Sequence, residues 1–207
     1  KLKEMLLLIN TNSKSIYRMF AVPLMKRDKK MYNELPCPSF FKCKLQLPGL
    51  FFIGGKGSIV PLHYDFLKDN GLLIHFYGRK EVILVDNSQS HLLYKMPLNS
   101  TSMVNLFDPD FETFPALRNV KGVKATLSHG DALFIPSGHW HQIKYLDASM
   151  SVTFRKWQSN PLKTIATVLK LIVFLSTDKG VNFLQPSKWF KFKQSQAKKR
   201  AERFKCK

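Results

Sequence analysis

In 57-GSIVPLHYDFLKDNGLLIHFYGRKEVILV-85, three short apolar runs are separated by turn residues. The runs cover residues 58–64, 72–77 and 81–85, and Gly78 interrupts the chain between the last two. Similar runs lie at residues 50–53, 125–127, 132–135, 142–146 and 150–154. Runs of this length at close intervals, without helices between them, predict an antiparallel β-sandwich or barrel.

The two ends of the chain differ from this central β pattern. Residues 1–46 contain an extended segment and a connection interrupted by prolines, whereas residues 158–207 change to helical spacing. Apolar residues there form a stripe that comprises Leu162, Ile165, Val168, Leu169, Ile172 and Val173. From Lys188 onward the chain has nine Lys/Arg residues and the single acid Glu202. We therefore predict an N-terminal segment (1–46) packed on the barrel, the barrel itself (47–157), and a helical extension with a basic tail (158–207). We expect the apolar stripe to pack on the barrel or on a second subunit.

The composition limits the class of protein. Hydrophobic residues make up 44% of the 207 residues, which favours one compact globular domain over a disordered chain. The three cysteines have no CxxC spacing, so we expect reduced thiols in a cytoplasmic protein and neither a disulfide framework nor a cysteine zinc site. We also expect no cleaved secretory leader and no transmembrane span.

The net charge of +19 favours anionic partners such as nucleic acid, a ribosome or an anionic membrane surface. A lysine-rich, solvated surface without a dedicated partner explains the same charge equally well. The charge by itself therefore names no substrate.

Two residues at the end of the first run have the chemistry of metal ligands. Successive side chains alternate across a β-strand, so His63 and Asp65 are predicted to project from the same face. An imidazole and a carboxylate, joined by a second imidazole, form the facial triad that holds non-haem iron and leaves coordination positions open. His139 and His141 both fit as the second imidazole, and their shared parity does not distinguish them. A lone HxD pair is more often a surface feature, but the distant HxH motif in the same β-rich chain favours a metal site.

Four segments extend the pattern beyond these two motifs. They are FFIGGKGSIVPLHYD (51–65), GLLIHFYGRKEVILV (71–85), VNLFDPDFETFPAL (104–117) and LSHGDALFIPSGHWHQI (127–143). In the same order and with similar spacing, they resemble the cupin-like JmjC oxygenases, a group that includes the asparaginyl hydroxylase acting on hypoxia-inducible factor and bacterial cupin-like domain proteins. The resemblance implies a mainly β fold, namely a double-stranded β-helix (cupin, jelly-roll) barrel with a short N-terminal α/β segment and C-terminal helices.

The resemblance also implies a ligand set. In the family the third metal ligand is the histidine directly after the tryptophan, which makes His63, Asp65 and His141 the triad and Fe(II) the ion. His139 then lies beyond the triad. The co-substrate is 2-oxoglutarate, whose distal carboxylate the family places at a lysine that corresponds to Lys80.

Four further positions concern the implied co-substrate site. Tyr17 resembles the tyrosine that donates its hydroxyl to the same carboxylate, and Asn70 resembles the asparagine near the other end of the co-substrate. Thr153 stands where the hydroxylase has an asparagine, and Val60 stands where many relatives have Thr or Ser. The last two differences weaken the polar surroundings that the family provides for the co-substrate.

The function implied by the resemblance is that of a 2-oxoglutarate-dependent dioxygenase. Such an enzyme couples oxidative decarboxylation of 2-oxoglutarate to hydroxylation of a substrate, here expected to be a protein that is ribosomal or RNA-associated. Relatives that pair through C-terminal helices suggest a homodimer. Two other interpretations stay open: a non-catalytic cupin that binds metal, motivated by Val60 and Thr153, and a basic adaptor for nucleic acid or a membrane surface.

Overall fold

The computed structural model describes residues 7, 17–23, 28–42, 49–157 and 161–204. Within these residues there are nine β-strands and three α-helices. The strands are β1 (Arg18–Val22), β2 (Leu50–Gly54), β3 (Ile59–His63), β4 (Asn70–Tyr77), β5 (Lys80–Val85), β6 (Gly122–Leu127), β7 (Ala132–Ile135), β8 (Trp140–Tyr145) and β9 (Ser149–Lys156). The helices are α1 (Lys29–Glu34), α2 (Pro161–Leu184) and α3 (Pro186–Glu202). Much of the predicted N-terminal segment and the last three residues of the basic tail lie outside the described residues.

The strands form two antiparallel sheets. One has the order β1-β2-β9-β4-β7, and the other has the order β3-β8-β5-β6. Strands that are distant in the chain are therefore neighbours in space, as in a jelly roll. The predicted jelly-roll barrel is confirmed, and most strands begin and end within a few residues of the predicted runs. The largest difference is β6, which begins at Gly122 and not at residue 125.

Apolar side chains from both sheets fill the space between them. A buried cluster combines Leu73 of β4 with Val60 of β3, Val82 of β5, and Ile143 and Tyr145 of β8. On β8 the two members are two residues apart, as the alternation of a strand requires for side chains on one face. The inward face of β8 also carries His141, because its parity is the same as that of Ile143 and Tyr145.

A local irregularity in β3 determines where its last side chain points. The pairing of β3 with β8 shifts between Val60 and His63, so the strand has a bulge around Pro61. Proline cannot donate a backbone hydrogen bond to a neighbouring strand, and bulges redirect the side chains that follow them. As a result, Val60 and His63 line the same cavity although their parity differs, while Leu62 packs in a separate buried cluster.

Helix α2 leaves most of its apolar stripe in solvent. Leu162, Ile165, Leu169, Ile172 and Val173 are all exposed, so the structure does not pack this stripe on the barrel. Among the described residues, no helix has the combination of length and apolar character that crossing a membrane needs.

Helix α3 begins immediately after α2, at Pro186. Proline disfavours a helical conformation in the residue before it, which explains the break between the two helices. Trp189 Nε1 and Lys193 Nζ of α3 both donate hydrogen bonds to Asp178 Oδ1 of α2, at 2.8 and 2.7 Å. Farther along the same face of α3, Ala197 and Ala201 are buried. The helix therefore presents one packed face and one exposed face.

Candidate metal centre

The two predicted histidine ligands lie opposite each other on neighbouring strands. His63 of β3 pairs with His141 of β8 in the strand register, and their ring centroids are 4.2 Å apart. Asp65 follows the end of β3, and ligand atoms of the three side chains lie within 4.8 Å of one another. Two imidazoles and one carboxylate in this arrangement are the donor set expected for a non-haem iron centre.

Hydrogen bonds to the backbone orient both imidazoles. His63 Nδ1 lies 2.8 Å from the carbonyl oxygen of Pro61, and His141 Nδ1 lies 3.2 Å from that of His139. When Nδ1 carries the proton that it donates to the carbonyl, Nε2 keeps its lone pair for a metal ion. Burial, followed by the nearby His63, lowers the pKa of His141 to about 4, so its imidazole is neutral at neutral pH and fit to be a ligand.

An arginine holds the carboxylate of the centre. Arg155 Nη2 of β9 donates a hydrogen bond to Asp65 Oδ1 at 2.9 Å, while its Nη1 donates to both oxygens of Asp69 at 3.0 and 3.1 Å. Burial opposes the ionisation of Asp65, but Arg155 and the two histidines outweigh it and lower its pKa. Asp65 is therefore an ionised carboxylate with one oxygen held by the guanidinium and the other left for a metal ion.

Lys80, the first residue of β5, is completely buried in the same cavity. Its Nζ donates a hydrogen bond to Ser151 Oγ at 2.7 Å and lies 5.0 Å from the centroid of the Tyr145 ring. Burial lowers the pKa of Lys80 from 10.5 to about 7. A buried ammonium without a carboxylate partner is unstable, so this site is suited to an anionic ligand that would restore the charge.

The cavity joins the metal ligands to Lys80. It is small, with a volume of about 40 Å³. Its walls include Val60 and Thr153 on opposite sheets, and Phe20 and Phe52 contribute two aromatic rings in edge-to-face contact, with centroids 5.2 Å apart. The cavity is therefore mainly apolar, with its few charged groups at defined positions.

Two other residues implied by the resemblance lie outside this cavity wall. Tyr17 is 54% exposed, and its carbonyl oxygen accepts a hydrogen bond from the backbone of Gly55. Asn70 Oδ1 accepts a hydrogen bond from the backbone N–H of Ser137 at 2.9 Å. The structure thus brings Lys80 and Thr153 together with the triad but does not bring Tyr17 or Asn70 there, and the roles of these two residues stay predictions.

His139 has a partner away from the candidate centre. Its Nε2 lies 3.2 Å from Asp86 Oδ2, and His139 is not part of the cluster of ligand atoms. This placement separates the two histidines that the sequence pattern left as equal candidates.

Three residues that sequence analysis missed complete the site: Arg155, Ser151 and Tyr145. Two of them were within reach of the same alternation rule, because Ser151, Thr153 and Arg155 share one parity on β9. Tyr145 likewise has the parity of His141 on β8. Strand alternation identifies these positions, but it does not say which of them form bonds across the cavity.

Comparisons with known proteins place this geometry in context. A family model described as a cupin-like domain matches residues 3–162. JmjC domain-containing protein C of Dictyostelium discoideum is 31% identical over 146 residues, which are 67% of this chain and 35% of that protein. Lysine-specific demethylase 8 of Xenopus tropicalis is 34% identical over 106 residues, covering 50% of this chain and 24% of that protein. Human tRNA wybutosine-synthesizing protein 5 is 32% identical over 121 residues, covering 58% and 36%. The chain thus spans little more than a third, at most, of the length of these relatives.

Proposed function

The chain belongs to the cupin-like domain family, whose JmjC members use Fe(II) and 2-oxoglutarate, and on this premise we propose that it is an Fe(II)- and 2-oxoglutarate-dependent oxygenase. The observation that carries the proposal is the shared cavity, with a possible metal-ligand triad and a buried lysine among its walls. A purely structural role accounts for neither the cluster of ligand atoms nor the buried lysine. Together they match a metal ion and a dicarboxylate bound side by side.

The residues fit an iron ion by their chemistry. His63 and His141 would each contribute Nε2, and Asp65 would contribute the oxygen that Arg155 does not hold. Three protein ligands leave coordination positions for a bidentate co-substrate and dioxygen. Bound Fe(II) would supply the chemistry that couples oxidative decarboxylation of 2-oxoglutarate to oxidation of a C–H bond.

The chain's own part in the reaction is to position groups and exclude water. Lys80 would pair with the distal carboxylate of 2-oxoglutarate, while the hydroxyl of Ser151 keeps Nζ in place. The Tyr145 ring adds a cation–π contact with the ammonium. Val60 offers no hydroxyl at its position, so van der Waals contact replaces a polar contact there. The apolar wall keeps solvent from the metal side of the cavity.

In this proposal the chain hydroxylates a side chain of a protein substrate. The proposed location of the enzyme is the cytoplasm. Support comes from the relatives named as lysine-specific demethylases, and from the aromatic pair Phe20 and Phe52 at the cavity, which can hold an apolar portion of a substrate. The charge of +19 favours a ribosomal or RNA-associated protein, whose acidic surroundings would attract this chain.

The exposed stripe of α2 supports the homodimer. Leu162, Ile165, Leu169 and Ile172 follow a three-four-three spacing and are all exposed. Such spacing places the side chains along one seam, as in helices that pair in coiled coils. A second copy of α2 would cover this seam.

Succinate formation tests the proposed activity. Purified protein incubated with Fe(II), ascorbate and 2-oxoglutarate is expected to form succinate above a metal-free control, and His63→Ala is expected to abolish it. His139→Ala is the matched control, because that histidine lies nearby but contacts Asp86. Tight Fe(II) binding without succinate, even with candidate protein substrates present, would replace the proposal with a non-catalytic metal-binding cupin.

A further inference from the structure

A second cleft, separate from the metal centre, lies between the C-terminal end of α3 and the segment that follows β5. Its walls include His91 and Lys95 from that segment and Arg200, Arg203 and Phe204 from the end of α3. The cleft has a volume of about 290 Å³. Four side chains that can carry positive charge thus converge from two distant parts of the chain.

The cations of this cleft have no acidic partner. No acidic side chain lines it, and within the described ranges Lys95, Arg200 and Arg203 take part in no ion pair. Other basic residues of the molecule do have such partners, for example Lys193 of α3 with Asp178. Glu202 lies in the same turn of α3 and acts electrostatically on Tyr94, next to Lys95, but it forms no ion pair with these cations. One carboxylate cannot balance four converging side chains that carry positive charge, so a bound anion would stabilise this arrangement.

Stabilisation of the α3 terminus does not explain this arrangement. Basic residues in the last turn of a helix do interact favourably with its C-terminal carbonyl groups, which accounts for Arg200 taken alone. Lys95 and His91, however, come from a different part of the fold. These positively charged side chains therefore line the space between the two segments, and their placement is not explained by the helix end alone.

An aromatic wall accompanies the charges. Phe204 and His91 are in edge-to-face contact, with ring centroids 4.4 Å apart, and Phe204 is 39% exposed. Positive charge beside an exposed aromatic ring is the combination that binds a phosphate together with a stacked base.

The charge continues from the cleft along α3. Lys188, Lys191 and Lys199 are exposed and project away from the packed face of Trp189, Lys193 and Ala197. Arg200 lies about 100° farther round the helix than Lys199, on the side of the cleft, so the cleft and this row of lysines are adjacent surfaces. At the rise of an α-helix, the distance from Lys188 to Lys199 is about 16 Å. This length corresponds to roughly five phosphates of one strand of a duplex. A linear array of this kind fits a polymer better than a single small anion.

We infer that this cleft and the exposed face of α3 bind nucleic acid through its phosphate backbone. The inference deepens the proposed function, since it assigns the RNA-associated character of the substrate to a defined surface. The surface is distinct from the metal centre, so the two can be tested separately.

The test measures binding of a short fluorescent single-stranded RNA by anisotropy, with the full chain. Arg200→Glu is expected to weaken binding at least about tenfold near 0.1 M salt and to lower the salt dependence of log K by about one phosphate contact. Lys56→Glu changes the net charge equally but lies beyond the far end of β8, next to Gly57, whose N–H bonds to Tyr145. It is expected to change the affinity by no more than about twofold. Equal losses in both variants would mean diffuse attraction and would overturn the assignment.

Lys95→Gln provides a second variant on a different element, so that the test does not depend on the integrity of α3. It is expected to weaken binding as well, and unchanged RNA affinity in Lys95→Gln would contradict the cleft. Vesicles rich in phosphatidylserine and inorganic phosphate serve as competitors. Binding to vesicles without binding to RNA would overturn the inference in favour of a lipid surface. Inorganic phosphate that binds as tightly as RNA would overturn it in favour of a site for a single anion.

The metal-centre variant separates this inference from the proposed activity. His63→Ala is expected to bind RNA like the unmodified chain, because the cleft contains none of the metal ligands. Arg200→Glu is expected to form succinate from 2-oxoglutarate at the normal rate. RNA binding without any succinate would refute the oxygenase alone, whereas succinate without cleft-dependent RNA binding would refute the cleft alone.

Discussion

The candidate metal centre and the C-terminal helices differ in whether their charged side chains have partners within the chain. In the cavity, Arg155 contacts Asp65 and Asp69, and Lys80 contacts Ser151 and the Tyr145 ring. On α3, most cations are exposed and form no ion pair among the described residues; the exceptions are Lys193, which pairs with Asp178, and Lys198, whose charge acts on Asp110. In the cavity, each charged group thus has a defined polar or aromatic contact within the chain, while the helices leave most of theirs for contacts outside it.

The same contrast holds for apolar side chains. Val60, Leu73 and Val82 are buried between the sheets, whereas Leu169 and Ile172 of α2 are more than half exposed. A buried charge is costly unless it is paired or hydrogen-bonded, whereas an exposed apolar stripe contributes to stability only once another molecule covers it. The barrel therefore contains the groups that would determine the chemistry, and the helices contain those that would determine the partners.

Replacement of Arg155 is expected to have the largest effect on stability among the changes that test this contrast. Arg155→Met leaves the Asp65 and Asp69 carboxylates without their shared counter-charge, and it is expected to lower the free energy of unfolding of the metal-free protein by about 3–5 kcal/mol. The matched control is Arg79→Met, which breaks an exposed pair with Asp147 and is expected to change the free energy of unfolding far less, because solvent screens exposed pairs. Urea denaturation measures both, and similar losses would show that the cavity pair is no more important than a surface pair.

Replacement of Lys80 distinguishes the proposed 2-oxoglutarate site from the metal site within the cavity. Lys80→Ala removes the ammonium proposed for the distal carboxylate and is expected to weaken 2-oxoglutarate binding roughly 100-fold. Metal affinity is expected to stay nearly constant, because Lys80 contacts none of the three ligands. Anaerobic titration calorimetry with each ligand checks this, and equal losses of both affinities would count against the assigned role.

The pH dependence of stability gives a third test. The pKa of Lys80 falls from 10.5 to about 7 on folding, so between these values the unfolded chain binds one more proton than the folded chain. The unfolding free energy of the unmodified protein should therefore rise with pH relative to Lys80→Met, by about 1.4 kcal/mol per unit in this range. Denaturation at about pH 7.5 and 9 should reveal a difference of roughly 2 kcal/mol. A pH-independent difference would mean that the ammonium stays charged in the fold.

The smallest expected effect on stability lies in α2. Leu169→Asp changes an exposed residue and is expected to alter the unfolding free energy of one subunit by less than about 0.5 kcal/mol, whereas Leu72→Asp in the core should prevent folding. The same Leu169→Asp change is expected to convert a dimer into a monomer. Light scattering after size-exclusion chromatography measures the mass of the unmodified protein and of Leu169→Asp. The same mass for these two proteins would refute pairing through α2.

Sequence alone located the strands well because glycine and proline separate short apolar runs in this chain. Strand alternation and donor chemistry pointed to His63 and Asp65 but left His139 and His141 undistinguished. The resemblance to the family supplied His141 and Lys80. The bulge at Pro61 explains the limit of parity, since a single irregularity changes which side chains face the cavity. Contacts across the sheets, such as that of Arg155 with Asp65, depend on the packing of distant strands and carry no local signal.

The end of α2 illustrates a second limit. The apolar stripe ends at Val173, but the helix continues to Leu184 and includes Gly180. Helical spacing predicts which positions share a face, yet it does not identify what covers that face. The barrel was one of the two predicted alternatives, and the structure leaves the stripe exposed instead.

The pairing of His63 with His141 links metal affinity to folding of the whole domain. These residues come from strands separated in the chain by most of the barrel, and they meet only after β3 and β8 have paired in the correct register. An ion held by both would therefore act as a removable cross-link of the native state, with little affinity for the unfolded chain. At a hundredfold excess of free ion over its Kd, such selective binding adds about 2.7 kcal/mol to the free energy of unfolding. A chelator would then determine how long the barrel survives heat, and the metal would be a structural component as well as a reagent.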